Sequence, residues 1–403
     1  MSDPVEIVRL GHSGHGATAD GLFVPYALPG ELVHIERNGE RARLLEIVRP
    51  SSSRVEARCQ HFTRCGGCAM QHLAPTAYLD WKRNLVIDAL SQRGFEGVHV
   101  ADIRGVAPGT RRRAMMKAKK SKTTEIGFYE PESHTLVDIF SCPVLLPELE
   151  RLIAPLRVAL QDLLRGGETA ELHMTATDSG VDLSLSWRRA RDANVLMDLG
   201  QLARDLDLAR FTWNNEPISI SRPPVLCVGR FTVSLPPAPF LQPTREGERI
   251  LQDLVLEGVG GAKRIADLFC GCGTFALALA EGRDIRAADD SPAMIEALAS
   301  ATRTSGAKFR AEQRDLDRRP FMTSELAGFD AVVLDPPRPG ARPQAVQIAA
   351  SSVPRVVYVS CNAASFARDA RILVNGSYRL ESVTPVDQFL WSPHIEMVGL
   401  FSR

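Results

Sequence analysis

The C-terminal half of this chain repeats one pattern: a short apolar or β-branched run that stops abruptly at a reactive group. Val357-Tyr358-Val359-Ser360 ends at Cys361-Asn362, and about twenty-five residues upstream Ala331-Val332-Val333-Leu334 ends at Asp335-Pro336-Pro337-Arg338. Such runs read as buried strands. Arg264-Ile265-Ala266-Asp267-Leu268 leads through Phe269-Cys270-Gly271-Cys272-Gly273-Thr274 into a helix over residues 276–280. Ile285-Arg286-Ala287-Ala288 ends at Asp289, and a third run, 308–313, ends near Asp315. Strand-plus-helix units at this spacing predict an α/β fold, a doubly wound, mostly parallel sheet from about residue 224 to 403. Successive strand ends in such a sheet open on one crevice, so a thiol and several acids there form a reaction centre. A lone cysteine is commonly a buried structural residue. The place of Cys361 between an Asp-Pro-Pro strand end and Asn362 favours a nucleophile.

The same crevice restricts its ligand. The Gly-x-Gly turn lets backbone approach a bound molecule and aims helix N–H groups at it. A nucleotide-phosphate site would want Gly-Lys-Ser/Thr or a third glycine, and neither is present. Acids at or just past three strand ends suit hydroxyls and amines instead, so S-adenosylmethionine fits better than a nicotinamide dinucleotide.

The N-terminal half is organised differently. Residues 5–54 alternate apolar and polar positions between turn signals such as Asp20-Gly21, Pro29-Gly30 and Asn38-Gly39, which predicts a small β-barrel. It is either an RNA-binding OB-like barrel or an SH3-like stability module. Cys59, Cys65 and Cys68 follow as Cys-x5-Cys-Gly-Gly-Cys, with Cys142-Pro143 further on. Four thiolates can ligate zinc or an iron–sulfur cluster, but zinc sites usually pair two Cys-x2-Cys knuckles and only one such pair exists. Residues 77–93 have helical spacing, with Gly94 just past the stop. A mixed α/β region follows, from about 98 to 222. In it Arg111, Arg112, Arg113, Lys117, Lys119, Lys120 and Lys122 are either a phosphate-binding patch or a solvated face, and Phe128 and Tyr129 are either base-stacking or core residues. Six prolines between 222 and 243 mark a stiff junction. The domains expected are therefore 1–54, 55–222 and 223–403.

Lys+Arg and Asp+Glu balance at 48 each in 403 residues, so nucleic-acid contact has to come from local patches. No stretch approaches the roughly 18 apolar residues of a membrane span, and MSDPVEIVRL lacks a signal peptide's apolar core. The expectation is a cytoplasmic protein with no membrane contact and no obligate protein partner. In that reducing compartment the eight cysteines serve as thiols or metal ligands.

Asp267–Phe275, Asp335–Gly340, Ser360–Asp369 and His394–Phe401, in this order, resemble the RNA 5-methyluridine methyltransferases. Leu22-Phe23-Val24-Pro25 and Pro29-Gly30-Glu31 resemble a TRAM domain, which extends the likeness to the branch of that family carrying an iron–sulfur cluster. The resemblance implies S-adenosylmethionine as methyl donor and Cys361 as the thiolate that adds to uracil C6. It implies Glu396 as the base that removes the C5 proton, and cofactor contacts from Gln242, Phe269, Asp289, Asp315 and Asp335. It further implies a [4Fe-4S] cluster on Cys59, Cys65, Cys68 and Cys142, and RNA as partner, 23S ribosomal RNA ahead of transfer RNA. Thr274, Ala363 and Asp289 depart from residues common in the family (Asn, Pro and Glu), without removing a reacting group. A 5-methylcytosine RNA methyltransferase would add a Pro-Cys where this chain has Asp335-Pro336-Pro337. A non-catalytic RNA-binding assembly factor would have no need of Cys361 and Glu396.

Overall fold

Alternation along the apolar strands builds two cores around one sheet. Val357 and Val359 face one way, with Ala331, Val333 and Ile265. Val356 and Tyr358 face the other, with Val332, Leu334 and Leu268. Strands buried on both faces need helices on both sides, which explains the lack of polar alternation in these runs. In a computed structural model, which describes residues 3–39, 41–190 and 192–403, these strands belong to a nine-stranded sheet. Met1, Ser2, Glu40 and Arg191, and the side chains of Asn38 and Arg41, lie outside the described residues.

The sheet order is Lys308–Gln313, Asp284–Asp289, Arg264–Leu268, Ala331–Leu334, Arg355–Ser360, Glu396–Ser402, Arg379–Asp387 and His99–Val100. Arg104–Gly105 also pairs with Arg379–Asp387. The first five strands are mutually parallel, and Glu396–Ser402 inserts antiparallel between its neighbours. That reversal brings the start of the last strand, Glu396, to the edge where the parallel strands end. Met397 pairs with Ser360, so Glu396 arrives beside Cys361.

Helix Pro75–Ser91 buries Tyr78, Trp81, Lys82, Val86 and Leu90. It ends before Gly94, whose φ of 74° is the left-handed turn expected of a glycine there. Val86 and Leu90 join the core of the nine-stranded sheet, and His99–Val100 extends that sheet. Residues 75–105, grouped by sequence with the central region, therefore pack on the C-terminal sheet. Apolar surface left open by Arg379–Asp387 explains this.

Strands between Val5 and Arg49 close into a five-stranded barrel. A separate seven-stranded sheet spans Arg113–Lys120 to Glu216–Ile220, and helices Ile153–Leu163 and Ala193–Asp205 share its core. Arg112, at its margin, is fully buried and ion-paired with Glu248 of helix Arg245–Val259. Among the described residues no helix is long and apolar enough to cross a membrane.

Candidate active site

The Asp267-to-Thr274 turn forms because its backbone leaves ordinary strand geometry three times. Phe269, Gly271 and Gly273 have φ of 65°, 54° and 96°. A Cβ on Gly273 would stand 2.6 Å from Leu298, so glycine is required there for packing as well as conformation. Asp289, ending the neighbouring strand, accepts from Gly271 N–H at 2.8 Å and Ser291 N–H at 3.0 Å, pinning the turn to the sheet edge.

Behind that turn is a concentration of buried carboxyls. Asp267 is wholly buried, and neither of its oxygens meets a donor in ordinary hydrogen-bond geometry. Burial, then the nearby Asp335 charge, pushes its pKa well above the usual range. Asp335 is raised to about 7 by burial and then by Asp289, which burial also raises. Glu396, 3% exposed, is raised to about 8 by burial and then by Asp335. Acids held this close without a cation favour sharing protons, and a positively charged ligand would favour their ionised forms.

Two glutamines connect the acids. Gln242 donates to Asp335 at 3.2 Å, and Gln388 donates to Gln242 at 2.7 Å and to Glu396 at 3.0 Å. Gln242, Asp335 and Glu396, assigned together from sequence, thus form one chain. Gln388 went unassigned, although its place directly after the buried Val386-Asp387 strand end was a usable signal. Asp267, one residue before the end of strand Arg264–Leu268, carries no role in the sequence reading.

The Cys361 thiol lies within electrostatic reach of this chain. Burial, then Glu396 and Asp335, raise its pKa to about 12, with Arg338 acting in the opposite direction. Asn362 caps helix Ala363–Asn375 by accepting from Ser365 N–H at 2.9 Å, so the thiol sits at a rigid strand-to-helix corner. Cys361 opens on a cavity of about 870 Å³. Arg338 and His394 line it, as do barrel residues Arg9 and His12 and helix residues Asn84 and Asp88. A mouth built by three structural regions suits a large polar substrate. Asp315 contributes less to the inner site, because its side chain is 43% exposed and accepts from the N–H groups of Asp317 and Arg318.

Cys59, Cys65, Cys68 and Cys142 converge on a second cavity of about 300 Å³. All eight cysteines are free thiols. Among the described residues no group of three or more His, Cys, Asp or Glu is gathered tightly enough to hold one metal ion. Four thiols are a donor set that zinc or an iron–sulfur cluster could use. Burial and mutual repulsion raise Cys68 to about 12, so a cationic metal centre would be needed to hold these groups as thiolates.

The basic run reads differently in three dimensions. Arg112 is buried against Glu248, and Arg113 donates to Leu241 O. Lys117 pairs with Glu171, and Lys120 donates to Gln161 O at 2.7 Å. These four cations stabilise domain contacts and strand edges, while Lys119 and Lys122 are exposed. Phe128 packs against the core of the seven-stranded sheet and lines the cysteine cavity.

Residues 231–403 match the family described as tRNA (uracil-5-)-methyltransferase. An RNA methyltransferase of Brucella melitensis is 42% identical over 405 residues, covering 99% of this chain and 97% of its own length. The 23S rRNA (uracil(1939)-C(5))-methyltransferase of Halomonas elongata is 33% identical, over 98% of this chain and 89% of its own. The solved structure of Pyrococcus abyssi tRNA (uracil-54, C5)-methyltransferase in complex with S-adenosyl-L-homocysteine shares the fold. It covers 99% of this chain and 100% of its own, with a TM-score of 0.79 and 24% identity. Likeness along nearly the whole length, with a thiol and buried acids meeting at one sheet edge, establishes that the chain belongs to the S-adenosylmethionine-dependent RNA uracil-C5 methyltransferases.

Proposed function

We propose that this enzyme makes 5-methyluridine in 23S ribosomal RNA, with Cys361 as nucleophile and Glu396 as base. The observation that carries the reading is the convergence of Cys361, Asp335 and Glu396, with Gln388 and Gln242 fixing the acids. Uracil C5 is too weak a nucleophile to take a methyl group unaided. Addition of the Cys361 thiolate to C6 moves electron density to C5, which then attacks the methyl carbon. S-adenosylmethionine supplies that methyl and leaves as the neutral thioether. Glu396 accepts the C5 proton, the C5–H electrons restore the double bond, and the C6–S bond breaks to release Cys361.

The raised pKa values give the acids a schedule. In the ligand-free site Glu396, near 8, is largely protonated at neutral pH. A protonated Glu396 no longer repels the Cys361 thiolate, and a sulfonium beside Asp335 favours ionisation of the carboxyls. A cationic cofactor held here would therefore favour the ionised form in which Glu396 can act as base. Gln242, Phe269, Asp289 and Asp335 are the cofactor contacts in this reading, with Asp315 at the outer edge. Asp267 is buried beside them, where the Asp335 charge acts on it.

Ribosomal RNA is favoured over transfer RNA because the Halomonas elongata rRNA enzyme is 33% identical over 98% of this chain, whereas the Pyrococcus abyssi tRNA enzyme is 24% identical. The barrel of residues 5–49 acts as a TRAM domain, since Arg9 and His12 wall the same cavity as Cys361. Cys59, Cys65, Cys68 and Cys142 would hold a [4Fe-4S] cluster that joins the Cys59–Cys68 loop to the central sheet. The organisation is a barrel at 1–54, a cysteine-bearing central region at 55–222, from which residues 75–105 pack on the catalytic sheet, and a catalytic domain at 223–403, in a cytoplasmic enzyme.

The test compares two variants on ribosomal RNA with labelled methyl donor. Cys361→Ala should form no covalent protein–RNA species. Glu396→Gln should accumulate a denaturation-resistant adduct that already carries the methyl group, because the base acts after transfer. An adduct in Cys361→Ala, or normal turnover in Glu396→Gln, removes the assignment.

A further inference from the structure

Between the strand that ends at Asp387 and the strand that begins at Glu396 runs an irregular connection with a wall in both cavities. Phe389, Leu390 and Ser392 line the cysteine cavity, Pro393 and Ile395 line the Cys361 cavity, and His394 lines both. Irregular backbone moves readily unless something satisfies its polar groups. Here one helix supplies the side chains that do so. Lys82, fully buried on Pro75–Ser91, donates to Asp387 Oδ1 at 2.5 Å, to Phe389 O at 3.1 Å and to His394 O at 2.6 Å. Tyr78, one turn earlier, donates to Asp387 Oδ2 at 2.7 Å and accepts from Trp391 N–H at 2.8 Å. On the far side, Ala69 and Met70, directly after Cys68, donate their N–H groups to Trp391 O at 2.8 and 3.0 Å.

A fully buried lysine is unusual, and removing either partner of a buried pair leaves an uncompensated charge. The three ammonium donors of Lys82 are all used: one on a carboxylate and two on carbonyls at opposite ends of the connection. A lysine needed only to neutralise Asp387 would not have to reach carbonyls five residues apart. The second carbonyl belongs to His394, two residues before Glu396, and Gln388, one residue after Asp387, donates to Glu396 Oε2.

We propose that Lys82 and Tyr78 are positioning residues for proton removal: they pin the 387–396 connection so that Gln388 and Glu396 are held in register opposite Cys361. The inference rests on the reading of Glu396 as the base. Lys82 touches no reacting atom. It acts through the backbone carbonyls of Phe389 and His394 and through Asp387.

Two variants separate the pin from the charge. Lys82→Met alone strands the Asp387 carboxylate and is expected to fold poorly. Lys82→Met with Asp387→Asn removes both charges, keeps an acceptor for Tyr78 and withdraws only the donors to the two carbonyls. Hydrogen–deuterium exchange should show amides of residues 388–396 exchanging at least ten-fold faster in the double variant, while Arg264–Leu268 keeps wild-type protection. On RNA, the double variant should form the methylated covalent adduct at near wild-type rate and release it at least ten-fold more slowly. Unchanged exchange at 388–396 overturns the pin whatever the chemistry. Faster exchange with addition and release slowed equally, or neither slowed, overturns a role in proton removal. The Glu396→Gln control, run alongside, reports on the base itself. If it traps no adduct, the reading of Glu396 falls and a role in proton removal falls with it, while the exchange data still judge the pin.

Discussion

The buried acid cluster beside Cys361 and the cysteine cavity pose the same electrostatic problem with different atoms. The first gathers Asp267, Asp335 and Glu396, the second Cys59, Cys65, Cys68 and Cys142. Each set is like-charged when ionised and partly or wholly buried, and pKa values in each rise through burial and mutual repulsion. In each, a positive ligand would favour the ionised forms. They differ in mounting. The carboxyls stand at strand ends of a rigid sheet, whereas Cys59–Cys68 lies in a loop outside any regular element and Cys142 follows a short strand. A sheet edge can wait in shape for a cofactor that comes and goes. Loop cysteines are better suited to a resident group that holds them together.

The largest expected effect would break this comparison at its chemistry. Cys361→Ala should take methyl transfer to the assay floor with thermal stability unchanged. Cys142→Ala should instead reduce bound metal and stability together. Anaerobically purified wild type should carry about four irons per chain and the variant less than one. One equivalent of zinc in the wild type would remove the cluster.

Next in size is the interdomain pair. Arg112→Met leaves Glu248 buried without its cation and should cost about 3–5 kcal/mol in denaturant unfolding. A loss below about 1 kcal/mol would mean that water reaches Glu248 and that the pair behaves as a surface bridge.

Asp335→Asn should weaken S-adenosylmethionine by roughly 10–100-fold, the range expected on losing a hydrogen bond to a charged group of about 1.5–3 kcal/mol. S-adenosylhomocysteine, lacking the sulfonium charge, should lose less. Equal losses, read by calorimetry, would place Asp335 away from the sulfonium.

The smallest effect is a pH dependence with a definite sign. Asp335 and Glu396 titrate higher in the folded chain than in the unfolded one, so the folded state binds more protons between pH ~4.5 and ~8. Their contribution to ligand-free stability is complete below the unfolded carboxyl range and declines as pH rises through about 7 and 8. Cationic cofactor reverses the preference, so its affinity should rise from pH 6 to pH 8 with release of protons. Calorimetry in buffers of different ionisation enthalpy reads that release directly.

Strand runs ending in Asp289, Asp335 and Cys361 were legible because hydrophobic periodicity is local and parallel strand ends must share an edge. Spacing grouped Cys59, Cys65 and Cys68, and the family resemblance added Cys142. By itself the sequence determined the α/β sheet of the C-terminal half, its reactive strand ends and the grouping of four cysteines. Tertiary structure decided what depends on partners distant along the chain. It placed Arg112 against Glu248, 136 residues away, turning an apparent RNA-binding cation into a buried staple. It carried residues 75–105 onto the catalytic sheet, and it set Lys82 under a connection 305 residues further on. A lysine in a helical pattern reads as solvent-facing because its charge is costly to bury. Only the fold, by supplying Asp387 and two carbonyls at one point in space, made burial the stable outcome.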